Sequence, residues 1–185
     1  MPVRADPPKT VADYMALPIE WGVELIDGVF YDVTPAPGAR HQRAALRLAA
    51  FLEGRVRRRK LGEVFISPFD VVLSKRTVVQ PDVVFIAKAH LDRLKERLEG
   101  APDIAIEFLS KAHREHDLKR KKDLYLRHKL PEYWIGDPDL GTIEILERAG
   151  GRWISRGVFG ADGILRSPLL PGIAIPLSAV FGESP

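Results

Sequence analysis

The sequence predicts an α/β or α+β fold built on a mixed β-sheet. Segments typical of strands, helix, strands, helix and strands follow one another along the 185 residues, and this alternation places helices against a sheet. The stretch VVFI (83–86) is continuously apolar, as expected for a central strand covered on both faces. No linker or repeat divides the chain, and its length suits one substantial core, so we predict a single domain over residues 1–185.

The first third of the chain predicts a short helix, a hairpin and a long helix. Thr10 is the expected N-cap of TVADYMAL, and an Asp-Gly dipeptide joins the two strands of VELIDGVFYDVTP. The long helix is expected from about His41 to Lys60, stopped by Gly62. His41 lies at the N-terminal end of its apolar stripe. The other members of that stripe are Ala45, Leu48, Ala49, Leu52 and Val56.

The remaining chain predicts further strands around a short helix and a basic helix. EVFISPFDVVLS and VVQPDVVFIA are expected to form a hairpin around KRT, and KAHLDRLKERLEG a short helix that ends at Gly100. The strand in APDIAIEFLSK (101–111) precedes the basic helix, which runs to about Leu130. From PEYW onward, Gly- and Asp-containing turns separate short strands.

The composition is that of a soluble globular protein, with 45% hydrophobic and 29% charged residues. No apolar run approaches the roughly 20 residues of a membrane span, and the N-terminus lacks the apolar core of a secretory signal. The absence of Cys excludes disulfides and thiolate metal sites. We therefore expect a cytoplasmic protein without a membrane partner.

The net charge is only +3, but basic residues concentrate in 55–60 and 111–129. These segments either contact phosphates or form solvated helix faces.

A carboxylate interrupts the otherwise apolar strand IAIEF. Strand alternation places Glu107 on one face with Asp103 and Ala105, where a core side chain would lie. An unpaired buried carboxylate costs several kcal/mol, so Glu107 requires a metal ion, a cation or a solvent-filled cleft. An ordinary salt bridge at the strand end is the alternative.

Asp82 is the expected partner of Glu107. It opens VVFI directly after Pro81, and carboxylates on adjacent strands lie about 5–8 Å apart, close enough to share one divalent ion. Asp103 lies four residues from Glu107 in the same strand, so their Cα atoms are about 13 Å apart, and Asp103 is better interpreted as a turn residue. For Asp82 alone, a turn or cap role is the alternative.

Two carboxylates without thiolates favour a hard cation such as Mg²⁺ or Mn²⁺. The chemistry that such a pair suggests is metal-assisted attack of water on a phosphodiester. A nearby Lys would add electrostatic stabilisation or position the nucleophile.

The segment QPDVVFI…APDIAIEFLSKAHREHDLKRKKDLYLRHKLPEYWIGDP resembles the Uma2 family, formerly a domain of unknown function and a branch of the PD-(D/E)XK nucleases. The likeness extends through VELIDGVFYDVTPAPGARHQRAALRLA and covers most of residues 10–140. It implies a restriction-endonuclease-like central mixed β-sheet flanked by helices, with extra N- and C-terminal strands. It also implies a Mg²⁺-dependent endonuclease that hydrolyses phosphodiester bonds, with DNA as the expected substrate.

The resemblance assigns metal ligands residue by residue. Asp82 matches the Asp of the motif and Glu107 its second acidic residue, and both would bind the metal. The backbone carbonyl of Phe108 would be a further ligand.

The Lys of the motif is displaced in this sequence. Its usual position, two residues after the acid, is Leu109. The family's Lys on the following helix matches Lys121, through an Asp-x₃-Lys-x₃-Tyr pattern that ends at Tyr125. Helical geometry alone does not exclude Lys122, and Lys111 is a third candidate.

Several further residues match the family or lie near its motif. Glu24 could complete the metal site or hold the Lys, with an exposed strand residue as the alternative. His41 matches a His at the start of the first long helix and is a candidate catalytic residue, with a hydrogen-bonded core residue as the alternative. Asp70, on the strand before that of Asp82, could orient a metal-bound water, with a structural role as the alternative. His113 and His116 have a possible metal spacing, but no third ligand accompanies them, so zinc is not predicted.

The resemblance leaves other functions open. The displaced Lys and the modest net charge keep open a nucleic-acid-binding or assembly module on the same fold with little or no catalysis. A metal-dependent hydrolase acting on another substrate is a third possibility. Restriction-type folds commonly dimerise, so a homodimer is expected by analogy.

Overall fold

The computed structural model describes residues 7–18, 22–32, 38–110 and 114–182, the last range without the side chains of 114–117. It confirms a mixed α/β architecture. The α-helices are α1 Val11–Met15, α2 Ala39–Arg59, α3 Arg114–Arg127 and α4 Ser178–Phe181, and a 3₁₀ helix covers Lys88–Arg93. None of the helices in these ranges has the length and apolar character needed to cross a lipid bilayer.

A six-stranded sheet forms the centre of the molecule, in the order β11-β10-β9-β8-β6-β3. β8 and β9 pair in parallel, whereas the other neighbours in this sheet are antiparallel. Its strands are β3 Gly62–Ile66, β6 Val83–Ala87, β8 Ile104–Phe108, β9 Glu132–Asp137, β10 Thr142–Ala149 and β11 Arg152–Phe159.

A second sheet of five strands lies beside the first, in the order β2-β1-β5-β4-β7. Its strands are β1 Val23–Ile26, β2 Val29–Asp32, β4 Val71–Ser74, β5 Thr77–Val79 and β7 Leu98–Glu99. Two short strands, β12 Ile164–Leu165 and β13 Ile175–Pro176, pair with each other. Extra strands at both ends of the chain therefore accompany the central mixed sheet, as predicted.

The two faces of the six-stranded sheet are covered by different helices. The apolar stripe of α2 packs in one core with Val83, Phe85 and Ile106. On the opposite face, Leu124 and Tyr125 of α3 pack in a second core with Val84 and Ala105. The stretch VVFI is thus buried on both faces, as its unbroken apolar character predicts.

Local signals explain the N-terminal elements. Thr10 and Asp13 form a capping box at the start of α1. Asp27 and Gly28 both adopt positive φ in the turn between β1 and β2, which a two-residue hairpin turn requires. Both predictions are confirmed.

The end of α2 agrees with the prediction, but the residue that stops the helix differs. The helix ends at Arg59, and its C-cap is Lys60, which adopts the left-handed conformation with φ 55° and donates its N–H to the carbonyls of Arg57 and Val56. Gly62 instead opens β3, where a Cβ would overlap the carbonyl of Ile86 on the paired strand. In the stripe, Ala44 is buried, and Ala45 is only partly buried against the same core.

The predicted short helix before Gly100 is wrong. Residues Lys88–Arg93 form a 3₁₀ helix, and Leu98–Glu99 form β7, which pairs in parallel with Val71 and Val72 of β4. Pairing with an existing strand satisfies the backbone groups of this segment and overrides its helical propensity.

Two predicted strands are each divided between the two sheets. EVFISPFDVVLS contributes β3 to the six-stranded sheet and β4 to the five-stranded sheet, and VVQPDVVFIA contributes β5 and β6 in the same way. The predicted hairpin is confirmed between β4 and β5. The crossing between β5 and β6 contains Gln80 and Asp82, so it brings Asp82 to the junction of the two sheets.

Candidate active site

Asp82 and Glu107 face each other at one end of β6 and β8. In the antiparallel register Val83 lies opposite Ile106, and continuing that register by one residue places Asp82 opposite Glu107. Directly opposed residues have Cβ atoms about 4.5–5.5 Å apart. The structure therefore brings these two carboxylates together, as strand geometry predicts. Their side chains are 18% and 17% exposed, so neither side chain is fully enclosed.

One oxygen of Asp82 is held in place by two donors. The backbone N–H of Phe108 donates to Oδ2 at 2.7 Å, and Nε2 of His41 lies 3.1 Å from the same oxygen. His41 comes from the first turn of α2 and is buried. Its ring also lies edge-on to that of Phe108, with centroids 5.9 Å apart. His41 therefore orients Asp82 from the helix side of the sheet.

One oxygen of Glu107 is held in the same way, from the opposite face of the sheet. Nζ of Lys121 donates to Oε1 at 2.9 Å, and the hydroxyl of Tyr125 donates to Oε1 at 2.8 Å. Lys121 and Tyr125 are one helical turn apart on α3, so they present their polar groups to the same carboxylate.

Glu24 reaches this cluster from the other sheet. Its Oε1 accepts a hydrogen bond from Nζ of Lys121 at 2.6 Å and another from the backbone N–H of Gln80 at 2.9 Å. Lys121 thus lies between two carboxylates, with its side chain only 7% exposed. In this structure Glu24 holds Lys121, and the side chain of Glu24 is only 4% exposed.

The other lysine candidates lie elsewhere or outside the described residues. Nζ of Lys122 is 3.6 Å from Glu144 Oε2 on β10, and its carbonyl accepts a hydrogen bond from Trp153. Of the two lysines that the helical wheel left open, the structure places Lys121 against Glu107. Lys111 lies outside the described residues.

The two remaining acidic residues, Asp103 and Asp70, bond to other partners. Asp103 precedes β8, accepts a hydrogen bond from the N–H of Ala87 and pairs with His90. Asp70 accepts hydrogen bonds from Tyr14 and Gln80 next to the second sheet. His113 and the side chain of His116 lie outside the described residues.

Sequence reasoning missed two contributors to the cluster. In the sequence, Tyr125 was used only as the last residue of the Asp-x₃-Lys-x₃-Tyr pattern. Its position four residues after Lys121 already places both side chains on one helix face. The backbone N–H of Gln80 gives no signal in the sequence, because its role follows from the crossing between the two sheets.

Burial and neighbouring charges shift the pKa values in the cluster. Burial, reinforced by the charges of Asp82 and Glu24, raises the pKa of Glu107 to about 7 despite the opposing effect of Lys121. Burial opposes the charged form of Lys121, but Glu107 and Glu24 outweigh it and raise the pKa of this ammonium above its ordinary value. Lys121 is therefore a permanent positive charge at neutral pH.

The two residues that bond to the carboxylates are shifted as well. Burial lowers the pKa of His41, but its hydrogen bond to Asp82 and the charge of Asp82 reverse that effect and raise the pKa overall. Burial and the charge of Glu107 raise the pKa of the Tyr125 hydroxyl, which stays protonated and remains a donor.

The donor set fits a hard divalent cation. Asp82 Oδ1 and Glu107 Oε2 have no hydrogen bond within the described ranges, and both lie on side chains that reach solvent. Oxygen ligands of this kind suit Mg²⁺ or Mn²⁺. No group of three or more His, Asp or Glu side chains forms a metal cluster in the described part of the chain. A metal held here would therefore need a ligand beyond the side chains, such as the Phe108 carbonyl.

Comparison with known families decides the family of this chain. The Uma2 family, described as "Putative restriction endonuclease", matches residues 11–178. The chain belongs to the Uma2 family. That match supports a nuclease with a nucleic acid substrate, and restriction-endonuclease-like families generally use divalent metals.

A solved structure shares the fold. It is described as the crystal structure of "a putative nuclease belonging to DUF820 from Anabaena variabilis ATCC 29413", at 1.96 Å resolution. The two chains are 19% identical, the alignment covers 94% of this Uma2 chain and 98% of the other, and the TM-score is 0.79. Among curated proteins, none matches the chain.

Proposed function

We propose that this Uma2 protein is a Mg²⁺- or Mn²⁺-dependent endonuclease that hydrolyses phosphodiester bonds in DNA. The observation that carries the proposal is the position of Lys121, whose Nζ lies 2.9 Å from Glu107 on the strand beside Asp82. The Lys displaced from the strand in sequence thus lies beside the acidic pair in space. A cation fixed beside two carboxylates is the arrangement expected for phosphodiester chemistry.

The metal ligands in this proposal are Asp82, Glu107 and the backbone carbonyl of Phe108. A divalent ion bound there would stabilise the charge that develops on the phosphate and assist deprotonation of water. The hydrogen bonds of His41 and the Phe108 N–H to Asp82 Oδ2 leave the second oxygen of Asp82 for this ion. Tyr125 and Lys121 do the same for Glu107, since both donate to Oε1.

Lys121 acts as an electrostatic group and not as a general base. Its raised pKa keeps the ammonium charged, so it stabilises negative charge on the scissile phosphate or positions the attacking water. Glu24 is a positioning residue in this scheme, because it holds Nζ of Lys121 from the second sheet. His41 is likewise a positioning residue for Asp82.

Several broader features belong to the same proposal. The whole chain, residues 1–185, forms one nuclease domain. It works in the cytoplasm, in keeping with the absence of Cys, and as a homodimer, in analogy with other restriction-type folds.

A nuclease assay tests the proposal. Purified protein is incubated with single- and double-stranded DNA and with RNA, with Mg²⁺ or Mn²⁺, and cleavage is compared between wild type, Glu107→Ala and Glu63→Ala. Glu63 is an exposed strand residue away from the site and serves as the matched control. We expect DNA cleavage that requires the ion and is lost only in Glu107→Ala. Cleavage that survives Glu107→Ala would exclude this mechanism. Absence of cleavage together with no calorimetric Mn²⁺ binding would favour a nucleic-acid-binding or assembly module.

A further inference from the structure

Three arginines line a pocket at the C-terminal end of α2. The pocket has a volume of about 320 Å³ and is bounded by Arg55, Arg58 and Arg59 on the helix and by residues 172–174 on the facing loop. Positions i, i+3 and i+4 lie on one side of a helix, so the three guanidinium groups are directed to the same side. Arg57, between them in sequence, does not line the pocket.

One of these side chains is held by its neighbours, and another lies close to the facing loop. The guanidinium carbon of Arg55 lies 3.3 Å from the centroid of the Phe51 ring, and its Nη1 donates to the Phe51 carbonyl at 3.3 Å. On the other wall, Gly172 has φ +73°, and a Cβ there would lie 2.7 Å from Nη1 of Arg59. The pocket is therefore shaped by a glycine that allows the Arg59 guanidinium to approach the loop.

The positive charge of the pocket is not neutralised within the described ranges. No carboxylate there forms an ion pair with Arg55, Arg58 or Arg59, whereas Arg127 pairs with Asp27 at 2.7 Å. The helix dipole favours cations near a C-terminus, which explains why basic residues occur in the last turn. The dipole does not explain why three of these arginines line the pocket beside the 172–174 loop, because Arg57 experiences the same dipole and does not line the pocket.

The pocket is separate from the candidate active site. His41 marks the active-site end of α2, and Arg59 follows eighteen residues later, so the two are about 27 Å apart along the helix at 1.5 Å per residue. A ligand in this pocket would therefore not contact the carboxylate pair.

We propose that Arg55, Arg58 and Arg59, with the 172–174 loop, form a second binding site, which takes a phosphate group. Guanidinium groups match phosphate oxygens with paired hydrogen bonds, and several of them around one pocket suit a multiply charged oxyanion. The phosphate belongs either to the backbone of a nucleic acid or to a free phosphate anion. The chemistry of recognition is the same for both sources. The proposal does not depend on catalysis by the carboxylate pair.

The test compares wild-type protein with an Arg58→Ala/Arg59→Ala double variant and with Arg57→Ala. All three arginines are exposed on the last turn of one helix, so Arg57→Ala removes the same kind of side chain from the same turn, one charge instead of two. Arg55 is left intact because it packs on Phe51. Thermal unfolding of each protein verifies that the variants are folded.

Binding is measured with two probes. Inorganic phosphate is titrated by calorimetry in a chloride buffer, and a labelled duplex of about 20 base pairs is titrated by fluorescence anisotropy in EDTA over a range of salt concentrations. EDTA removes divalent ions, so the result does not depend on the proposed nuclease activity. If the bound phosphate belongs to a nucleic acid, the slope of log K against log[salt] should fall by about 1 in the double variant and stay unchanged in Arg57→Ala.

The outcomes separate the two sources and expose a wrong proposal. We expect the double variant to bind at least one probe about tenfold more weakly than wild type, with Arg57→Ala within about twofold of wild type. Loss of inorganic phosphate binding with an unchanged DNA salt slope would assign the site to a free anion. The proposal is overturned if wild type binds neither probe, if the double variant binds both as wild type does, or if Arg57→Ala weakens binding equally.

Discussion

Lys121 donates a hydrogen bond to Oε1 of Glu107 at 2.9 Å, from a helix that begins after the strand carrying Glu107. The same ammonium donates to Glu24 Oε1 at 2.6 Å, on a strand of the other sheet. One buried cation therefore connects the two sheets to α3. Its removal is expected to affect both the stability of the fold and the electrostatics of the candidate site.

Lys121→Met should lower both stability and activity. The change leaves the buried Glu24 and the mostly enclosed Glu107 without their cation, and loss of one partner of a buried ion pair costs about 3–5 kcal/mol. If Lys121 stabilises charge on the phosphate, the cleavage rate should fall by about 10²-fold or more. Urea unfolding measures the first effect and single-turnover cleavage the second.

The matched control is Lys122→Met, which removes the adjacent lysine and its contact with Glu144. This pair is about one-third exposed, so we expect a change in unfolding free energy of less than about 1 kcal/mol. Equal loss of cleavage in both variants would contradict the assignment of Lys121.

Tyr125→Phe should weaken metal binding while leaving the fold intact. The variant keeps the ring contact with Tyr133 and removes only the hydroxyl that donates to Glu107 Oε1. Hydrogen bonds that orient a metal ligand typically contribute about 10- to 100-fold in affinity. We expect a loss near the lower limit, measured as the Kd for Mn²⁺ by calorimetry. Tyr31→Phe is the control, since Tyr31 lies on β2 and its ring contact with Arg120 is retained. An unchanged Mn²⁺ affinity in Tyr125→Phe would show that this hydroxyl does not position Glu107 for a metal.

Metal binding should strengthen as the pH rises through about 7, the raised pKa of Glu107. The ion competes with the proton for the same carboxylate, so Mn²⁺ binding should release close to one proton well below this pH, about half a proton near it and little above about pH 8.5. Calorimetry in buffers of different ionisation enthalpy counts the released protons. In Glu107→Gln the pH dependence due to this group should vanish.

The same pKa has a consequence for stability without metal. Because the folded protein binds this proton more tightly than a carboxyl with the ordinary value of 4.5, the contribution of Glu107 is full below about pH 4.5 and is lost as the pH rises through about 7. The Tm of the metal-free protein should therefore fall over that interval, relative to the Tm of Glu107→Gln. A Tm difference that is constant with pH would contradict the raised pKa.

Gly136→Ala should lower both stability and cleavage through its effect on Phe108. Gly136 lies beside Phe108 in the parallel pair of β9 and β8, and a Cβ there would overlap the Phe108 ring. Overpacking of this kind costs about 1–3 kcal/mol. The ring would be displaced together with the backbone N–H that donates to Asp82, so the cleavage rate should fall as well.

The contrasting variant is Gly54→Ala. Gly54 lies in α2 with open space around the position, so this change should raise the free energy of unfolding by up to about 1 kcal/mol.

The sequence by itself determined the elements whose signals are local. The capping residues at Thr10 and Asp13 and the Asp27-Gly28 turn give signals that span only a few residues, so a short stretch of sequence is enough to predict them. The position of Asp82 opposite Glu107 on an adjacent strand was also predictable, because side-chain alternation and strand spacing are properties of any sheet. The family motif added the expectation of a Lys on the following helix.

Only the tertiary structure decided which groups complete the site. The choice between Lys121 and Lys122 depends on how α3 is rotated against the sheet, and neighbouring positions on a helix differ by about 100°. Glu24 and the N–H of Gln80 come from the second sheet, whose position follows from the division of two predicted strands between sheets. The segment 88–99 likewise took its structure from an open strand edge. Contacts between residues far apart in sequence depend on packing, and local propensity carries no information about them.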